Sequence, residues 1–262
     1  MRRTSLADLS ALLARLQLPR NHVFIVHSSL LRFGLIDGGL PGVMACLQQA
    51  LGPEATVLMP AFSFGYGRTR QWDYHATRAE TGALSEYFRT LPGTRRTLHP
   101  FHSLSVTGPL AAQFLACRNS SSFGPGSPFA LLYDVRAINI GLGTELEGGA
   151  TFLHHAEELA RVPYRFYKEF PGTVRDALGA TVAQTFGMFV REFGPAHAWV
   201  NHWEQAWQDF VADQTVRLET WHGAKLFSFD IRTAHDRFIQ RLAADPLYCA
   251  RREALEPEES TT

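Results

Sequence analysis

The sequence predicts a single α/β domain with a central mixed β-sheet flanked by helices, and three observations predict it. First, "HVFIVH" (22–27) and "TVLMPAF" (56–62) are short β-branched and aromatic runs with a helical pattern, "LPGVMACLQQALGP" (40–53), between them. Strand, helix and strand within roughly 40 residues make a βαβ unit, which implies a parallel pair whose ligand edge lies at the strand C-termini. Second, "VRAINIGLG" (135–143) reads as a further strand, and a helical segment, 150–162, follows it. Third, "TVRLETWHGAKLFSFDI" (215–231) reads as a hairpin turning near His222-Gly223, so the sheet is mixed. The 262 residues, 45% of them hydrophobic with 19 Phe and 5 Trp, are enough to enclose a well-buried core.

In chain order, Leu6, Leu9, Leu13 and Leu16 recur at helical spacing, and Ser5 with Asp8 has the form of a capping box. The helix over 40–53 carries Pro41 in its first turn and stops at Gly52. The stretch 63–82 has no clean period and reads as a surface loop, and 83–93 as a helix. Residues 94–108 read as a loop entering a short strand, and 109–119 as a helix. A small-residue loop then enters another helix through Ser127-Pro128, a good N-cap and first-position pair. Residues 196–214 read as one long helix and 233–245 as the closing one. The domain is expected over 1–250. Residues 251–262, ending in the acidic, proline-bearing "EALEPEESTT", are expected to be a disordered tail.

Composition excludes several classes. Lys+Arg and Asp+Glu are both 25, and this balance argues against general affinity for nucleic acid or a membrane surface. Cys46, Cys117 and Cys249 form no CxxC pair, so neither a zinc knuckle nor a disulfide framework is indicated. The N-terminal segment reads as an amphipathic helix rather than a signal peptide, and no apolar run approaches the ~20 residues needed to span a bilayer. The expected setting is cytoplasmic. No P-loop is present, and "GLGTEL" (141–146) lacks the third glycine of a dinucleotide fingerprint. "AFSFG" (61–65) approaches the hydrolase nucleophile elbow at Ser63, but Tyr66, Gly67, Arg68 and Thr69 make a poor helix start behind it. The eleven histidines show no HExxH or HxH set, so no metal is expected.

The strongest local chemistry is "TFLHHAEE" (151–158). On a helix, Glu157 or Glu158 falls one turn from His154, where a carboxylate fixes the imidazole tautomer and raises its basicity. A general base working near neutral pH needs that arrangement. Such a pair on an ordinary surface helix would be weak and common. Here the helix follows a strand across a Gly-rich turn, near the sheet edge where α/β ligands sit.

Read together, "HSSLLRFGLIDGG" (27–39), "TVLMPAFS" (56–63), "TGALSEYFRTLPGTRRTLHPFHSLSVTGP" (81–109), "FGPGSPFALLYD" (123–134) and "GATFLHHAEELARVPYR" (149–165) resemble the aminoglycoside 3-N-acetyltransferase family. The resemblance runs from about residue 23 to about 170 and is loose beyond. It implies a single α/β domain unrelated to the GNAT acetyltransferases, with acetyl-CoA as co-substrate. The family's Leu-His-x-Ala-Glu segment matches Leu153, His154, Ala156 and Glu157, which implies His154 as the catalytic base, Glu157 as its partner and His155 as the variable position. The same resemblance implies that His27, Ser28, Ser29 and Leu30 form one wall of the groove for the pantetheine arm, and Ser103 and Leu104 another. Pantetheine offers two amides and no charge, so hydroxyls and strand-end backbone groups suit it. The helix start at Ser127 offers free N–H groups for a carbonyl or phosphate.

The expected function is acyl transfer from acetyl-CoA to a primary amine of a small molecule, either an aminoglycoside or a biosynthetic intermediate. Arg161, Arg165 and Lys168, with Arg68, Arg70 and Arg78, favour CoA phosphates or an anionic acceptor over a polycation. Two other classes remain: a serine hydrolase using Ser63, and a non-catalytic CoA-binding module. The sequence names neither the acceptor nor the oligomeric state.

Overall fold

The computed structural model describes residues 3–194 and 197–254. Seven strands form the central sheet in the order Arg217–Trp221, Ala224–Asp230, Ile138–Leu142, Val23–Ser28, Thr56–Pro60, Leu104–Thr107, Arg95–Arg96. Val23–Ser28 runs parallel to both its neighbours and the other pairings are antiparallel, so the sheet is mixed around a parallel centre. Helix Gly39–Leu51 makes the expected crossover between the first two parallel strands and ends at Gly52.

The central strand is apolar on both faces because both are covered. Phe24 and Val26 pack with Leu9, Leu13 and Leu47 on one side. Val23 and Ile25 pack with Phe129, Leu153 and Phe229 on the other. This two-residue period carries His27 to the same face as Val23 and Ile25, the face against which the helix Leu153–Ala160 lies. Local signals hold where the chemistry is local. Ser5 and Asp8 cap the helix Leu6–Arg15 reciprocally, with Asp8 N–H donating to Ser5 Oγ at 3.1 Å and Ser5 N–H to Asp8 Oδ2 at 3.1 Å. The hairpin Arg217–Trp221 to Ala224–Asp230 turns at His222 and Gly223, both at positive φ.

Three expectations are corrected. The segment read as one long helix over 196–214 is a strand, His197–Asn201, followed by a shorter helix, Glu204–Ala212. The strand forms because His197–Asn201 finds a partner about 50 residues away in Ala250–Ala254, a pairing no local period reveals. Residues 251–254, expected in a tail, therefore belong to a ladder, and 255–262 lie outside the described residues. The loop expected over 63–82 contains a short helix, Tyr66–Thr69, and a strand, Gln71–Asp73. That strand adds to a long hairpin the sequence did not disclose, Arg165–Arg175 with Thr181–Arg191. Tyr66, Trp72, Phe101, Phe170 and Phe186 anchor this hairpin in a small core of its own. Among the described residues, no helix is long and apolar enough to cross a membrane.

Candidate active site

The strand Ile138–Leu142 ends at Gly143, whose φ is +70° and whose backbone passes so close to Ser29 that an added Cβ would sit 2.5 Å from the Ser29 carbonyl oxygen. Only glycine fits there. This contact locks the Ser28–Ser29 segment against the turn leading to His154. The chain then passes through Leu146–Gly149 into the helix Leu153–Ala160, which places His154 in the first turn, in the wall of a cavity of about 510 Å³.

Glu157, one turn later, is fully buried and gathers three partners. His154 Nδ1 meets Glu157 Oε2 in a short hydrogen bond. The Tyr164 hydroxyl donates to Oε1 at 2.6 Å. Arg165 Nε lies 3.1 Å from Oε2 as an ion pair whose N–H is not aligned for a hydrogen bond. Burial alone would raise the Glu157 carboxyl, but His154, Arg165 and Tyr164 outweigh it and hold it at about 2. Against an ionised carboxylate, the imidazole carries its proton on Nδ1 and leaves the Nε2 lone pair for a substrate proton. Burial pushes His154 below the usual 6.5, against the opposing pull of Glu157, so the ring is neutral at pH 7. The array continues beyond the pair: Arg165 Nη2 donates to Asn201 Oδ1 at 3.1 Å, and Asn201 Nδ2 donates to Glu147 Oε1 at 2.9 Å. Glu147 and Asn201 also line the cavity.

Of the sequence-predicted residues, the structure brings together His154, Glu157, His27 and Ser28. His27 is buried in the cavity wall with no hydrogen-bond partner at Nε2. Ser28 lines this cavity and also a second, mostly apolar one of about 430 Å³, which Ser29, Leu30 and Leu84 help to form. The second loop is corrected. Ser103 is fully buried, donating to the Ala61 carbonyl at 2.8 Å and accepting from Arg96 Nε at 2.8 Å, and Leu104 sits in the hydrophobic core. His102 is the residue of that loop at the cavity. Ser127 caps its helix as the sequence predicts, its buried hydroxyl accepting from Ala130 N–H, and it lies apart from the His154 cavity. Ser63 is buried, donates to the Pro100 carbonyl at 2.6 Å and accepts from Trp72 Nε1 at 3.0 Å. A hydroxyl held by a carbonyl and an indole has no base to activate it, and the hydrolase reading falls. His155 points inward to the Phe123 carbonyl and the His235 ring, away from the cavity. Of the six basic residues marked in the sequence, only Arg165 lines the cavity, and Arg191 joins it from the hairpin.

Sequence reasoning missed Tyr164, Asn201, Glu147 and Arg191 as site residues. Tyr164 was available just beyond the His154 helix, in "VPYR". Asn201 was hidden by the helical reading of its strand, and Arg191 by the unassigned hairpin.

Burial depresses three histidines near the site: His27 to about 3, His99 to about 4, and His102 well below 6.5. A neutral buried imidazole must gain its proton on unfolding near pH 6.5, so the stability it contributes is present above 6.5 and lost as pH falls toward the folded values. The melting temperature is therefore expected to decline progressively below pH 6.5, and His27→Gln to make that decline shallower. An unchanged slope in a pH series of thermal melts would contradict it.

A model described as aminoglycoside 3-N-acetyltransferase matches residues 25–243. The chain belongs to the aminoglycoside 3-N-acetyltransferase family. It is 30% identical over 159 residues to aminoglycoside N(3)-acetyltransferase IV of Salmonella sp, covering 60% of each protein. It is also 30% identical over 173 residues to aminoglycoside N(3)-acetyltransferase IX of Micromonospora chalcea, covering 57% of this chain and 60% of that one. The matches thus span about 60% of the length of these curated relatives. Solved structures extend the likeness. An AAC-IIIb binary complex with CoASH superposes with a TM-score of 0.78 at 27% identity, over 92% of this chain and 97% of that one. Aminoglycoside acetyltransferase AAC(3)-Xa does so with a TM-score of 0.78 at 23% identity, over 92% and 93%, and shows the shared α/β fold.

Proposed function

We propose that this family member transfers the acetyl group of acetyl-CoA to a primary amine of a small molecule, with His154 as general base. The observation that carries the reading is a neutral imidazole, oriented by a fully buried carboxylate, in the wall of a cavity that shares Ser28 with a second, apolar cavity. The relatives' names support an aminoglycoside as the acceptor class, and the CoASH complex of a similar structure supports the co-substrate. We place the reaction in the cytoplasm on the same reading.

The residues present suit an extended, uncharged pantetheine arm: an apolar slot edged by the hydroxyls of Ser28 and Ser29. Those two residues with Leu30 would hold it, and His27 would close the wall between arm and base. The amine nitrogen attacks the thioester carbonyl, the C–S bond breaks, and the proton leaving nitrogen passes to His154 Nε2 and on to the departing sulfur. Glu157 stabilises the imidazolium formed in transit, as a buried carboxylate does for a triad histidine.

Acetyl-CoA at a hundred times its dissociation constant is expected to stabilise the native state by ~2.7 kcal/mol and so raise the melting temperature by several degrees. Thiol release should follow when an amine is added. No shift at saturation would overturn co-substrate binding. A shift without thiol release across a broad amine panel would favour a non-catalytic CoA-binding module.

A further inference from the structure

We infer that His102 is a second catalytic residue, its Nε2–H donating to the thioester carbonyl oxygen as negative charge builds there. The inference deepens the proposed acetyl transfer and rests on it. His102 lies just before the strand Leu104–Thr107, and its ring sits in the wall of the His154 cavity against Phe62 and Phe123. Its neighbours fix its tautomer. A neutral imidazole has one donor nitrogen and one acceptor nitrogen. Burial keeps His99 neutral by lowering it to about 4. The His102 backbone N–H donates to His99 Nδ1 at 3.3 Å, so the His99 proton is on Nε2, 3.2 Å from the Ser120 carbonyl. His99 Nε2, 3.4 Å from Ser122 Oγ, therefore offers that hydroxyl no lone pair. The Gly187 carbonyl, also 3.4 Å from Oγ, already receives the Ser122 backbone N–H at 3.0 Å. That leaves His102 Nδ1, at 2.8 Å, to accept the Ser122 hydroxyl proton. His102, which burial also keeps neutral, then carries its own proton on Nε2. Among the described residues no hydrogen-bond partner reaches that nitrogen, and unlike His27 Nε2 it is not sealed from solvent. Its N–H opens into the cavity.

His102 and His154 flank one ring, with centroids 4.5 and 5.2 Å from that of Phe123. His154 presents a lone pair and His102 an N–H. Attack on a thioester needs both, because the nucleophile sheds a proton while the carbonyl oxygen takes the electron pair of the C=O π bond. The sheet brings the two requirements together. Val23–Ser28, Thr56–Pro60 and Leu104–Thr107 are consecutive strands, so Ser28, Pro60 and the His102 loop share one edge. A thioester entering at Ser28, where the two cavities meet, brings a carbonyl oxygen to that edge, and this oxygen is the acceptor His102 lacks. It holds the negative charge in the tetrahedral intermediate and returns the electron pair to carbon as the C–S bond breaks. The His102 proton stays on Nε2 throughout, as it does when a neutral imidazole polarises a carbonyl.

The test measures thiol release from acetyl-CoA with gentamicin, with glucosamine and with water alone. His102→Phe keeps the aromatic packing and removes the donor. It is expected to lower kcat by ~10²–10³-fold, the effect of one oxyanion donor, by a similar factor in every reaction the wild type catalyses. Acetyl-CoA affinity, read by isothermal titration, should hold. His102→Gln, whose amide N–H replaces the donor, should recover part of the loss, and Ser122→Ala, which frees the tautomer, should lose less than His102→Phe. A loss confined to one amine would assign His102 to acceptor binding and overturn the inference, as would a fully active His102→Phe or a loss confined to acetyl-CoA affinity. Wild type that releases no thiol would defeat the acetyl-transfer reading for these acceptors, and a measurement without turnover then decides about His102. Nitrogen NMR of the imidazoles is expected to show a protonated Nε2 and a bare Nδ1 in His102. The Nε2–H resonance should shift on binding an acetyl-CoA analogue that carries methylene in place of the thioester sulfur. A protonated Nδ1, or an Nε2–H resonance that the bound analogue leaves in place, would overturn the inference.

Discussion

His154→Ala is expected to lower kcat by ~10²–10⁴-fold while leaving acetyl-CoA affinity nearly intact. An amine is mostly protonated at neutral pH and attacks a thioester only once a proton has left. His154 is placed to take that proton because burial keeps its ring neutral at pH 7 and Glu157 holds its Nδ1 edge. The base limb of the kcat profile should accordingly fall below pH 6.5. On the proposed reading acetyl-CoA is held by Ser28 and the apolar cavity beyond it, so its affinity should survive the change. His155→Ala supplies the control. Its ring bonds the Phe123 carbonyl inside the protein, so the variant should lose some stability and keep most turnover per folded molecule. Steady-state thiol release with isothermal titration of acetyl-CoA separates the cases. A nearly active His154→Ala beside an inactive His155→Ala would move the base by one residue.

Glu157→Gln is expected to destabilise the fold by ~3–5 kcal/mol, a cost set by what the carboxylate leaves behind. Glu157 is fully buried, and Arg165, with only 8% of its side chain exposed, has no other carboxylate within ion-pair distance among the described residues. Removing the negative charge strands that guanidinium inside the protein, and an uncompensated buried charge is far more costly than a missing hydrogen bond. The imidazole loses its orienting partner too, so kcat should fall, though less than for His154→Ala. The acid limb carries a separate signature. Glu157 titrates at about 2 in the folded chain against 4.5 when unfolded, so its stabilisation is present above pH 4.5 and lost as pH falls toward 2. Glu157→Gln should lack that segment of the pH–stability curve. Urea unfolding at pH 7 and pH 4 measures both effects, and a variant within ~1 kcal/mol of wild type at pH 7 would show that Arg165 has another means of compensation.

What could be read from the chain follows the range of the interactions involved. Ser5 with Asp8, Gly52 after its helix, the His222-Gly223 turn and the βαβ crossover are settled within a few residues or by the handedness of one unit, and the structure repeats them. His154 with Glu157 belongs with them, since a spacing of three on a helix sets two side chains on one face wherever the helix lies. Ser127 shows the limit of that reading. The helix start there was expected to offer free N–H groups to a carbonyl or phosphate, and the Ser127 hydroxyl itself takes one of them, that of Ala130. Ser103 and Leu104 failed differently, because neighbouring strands decide which face of a strand meets solvent, and here both faces are covered. Asn201 became a strand residue only when Ala250–Ala254 arrived to pair with its segment, and Arg191 reached the cavity only because a long hairpin packs over it.

By itself the sequence determined the fold class, the pairing of His154 with Glu157 and the loop that carries Ser28, because each depends on short-range geometry or on a run of matching motifs. Tertiary structure alone decided which charges meet in the cavity. Arg165 is cancelled by a buried glutamate eight residues back, while Arg191 is left without a counter-ion among the described residues. Charge balance in a pocket depends on distance and burial, and neither is present in the order of residues along a chain.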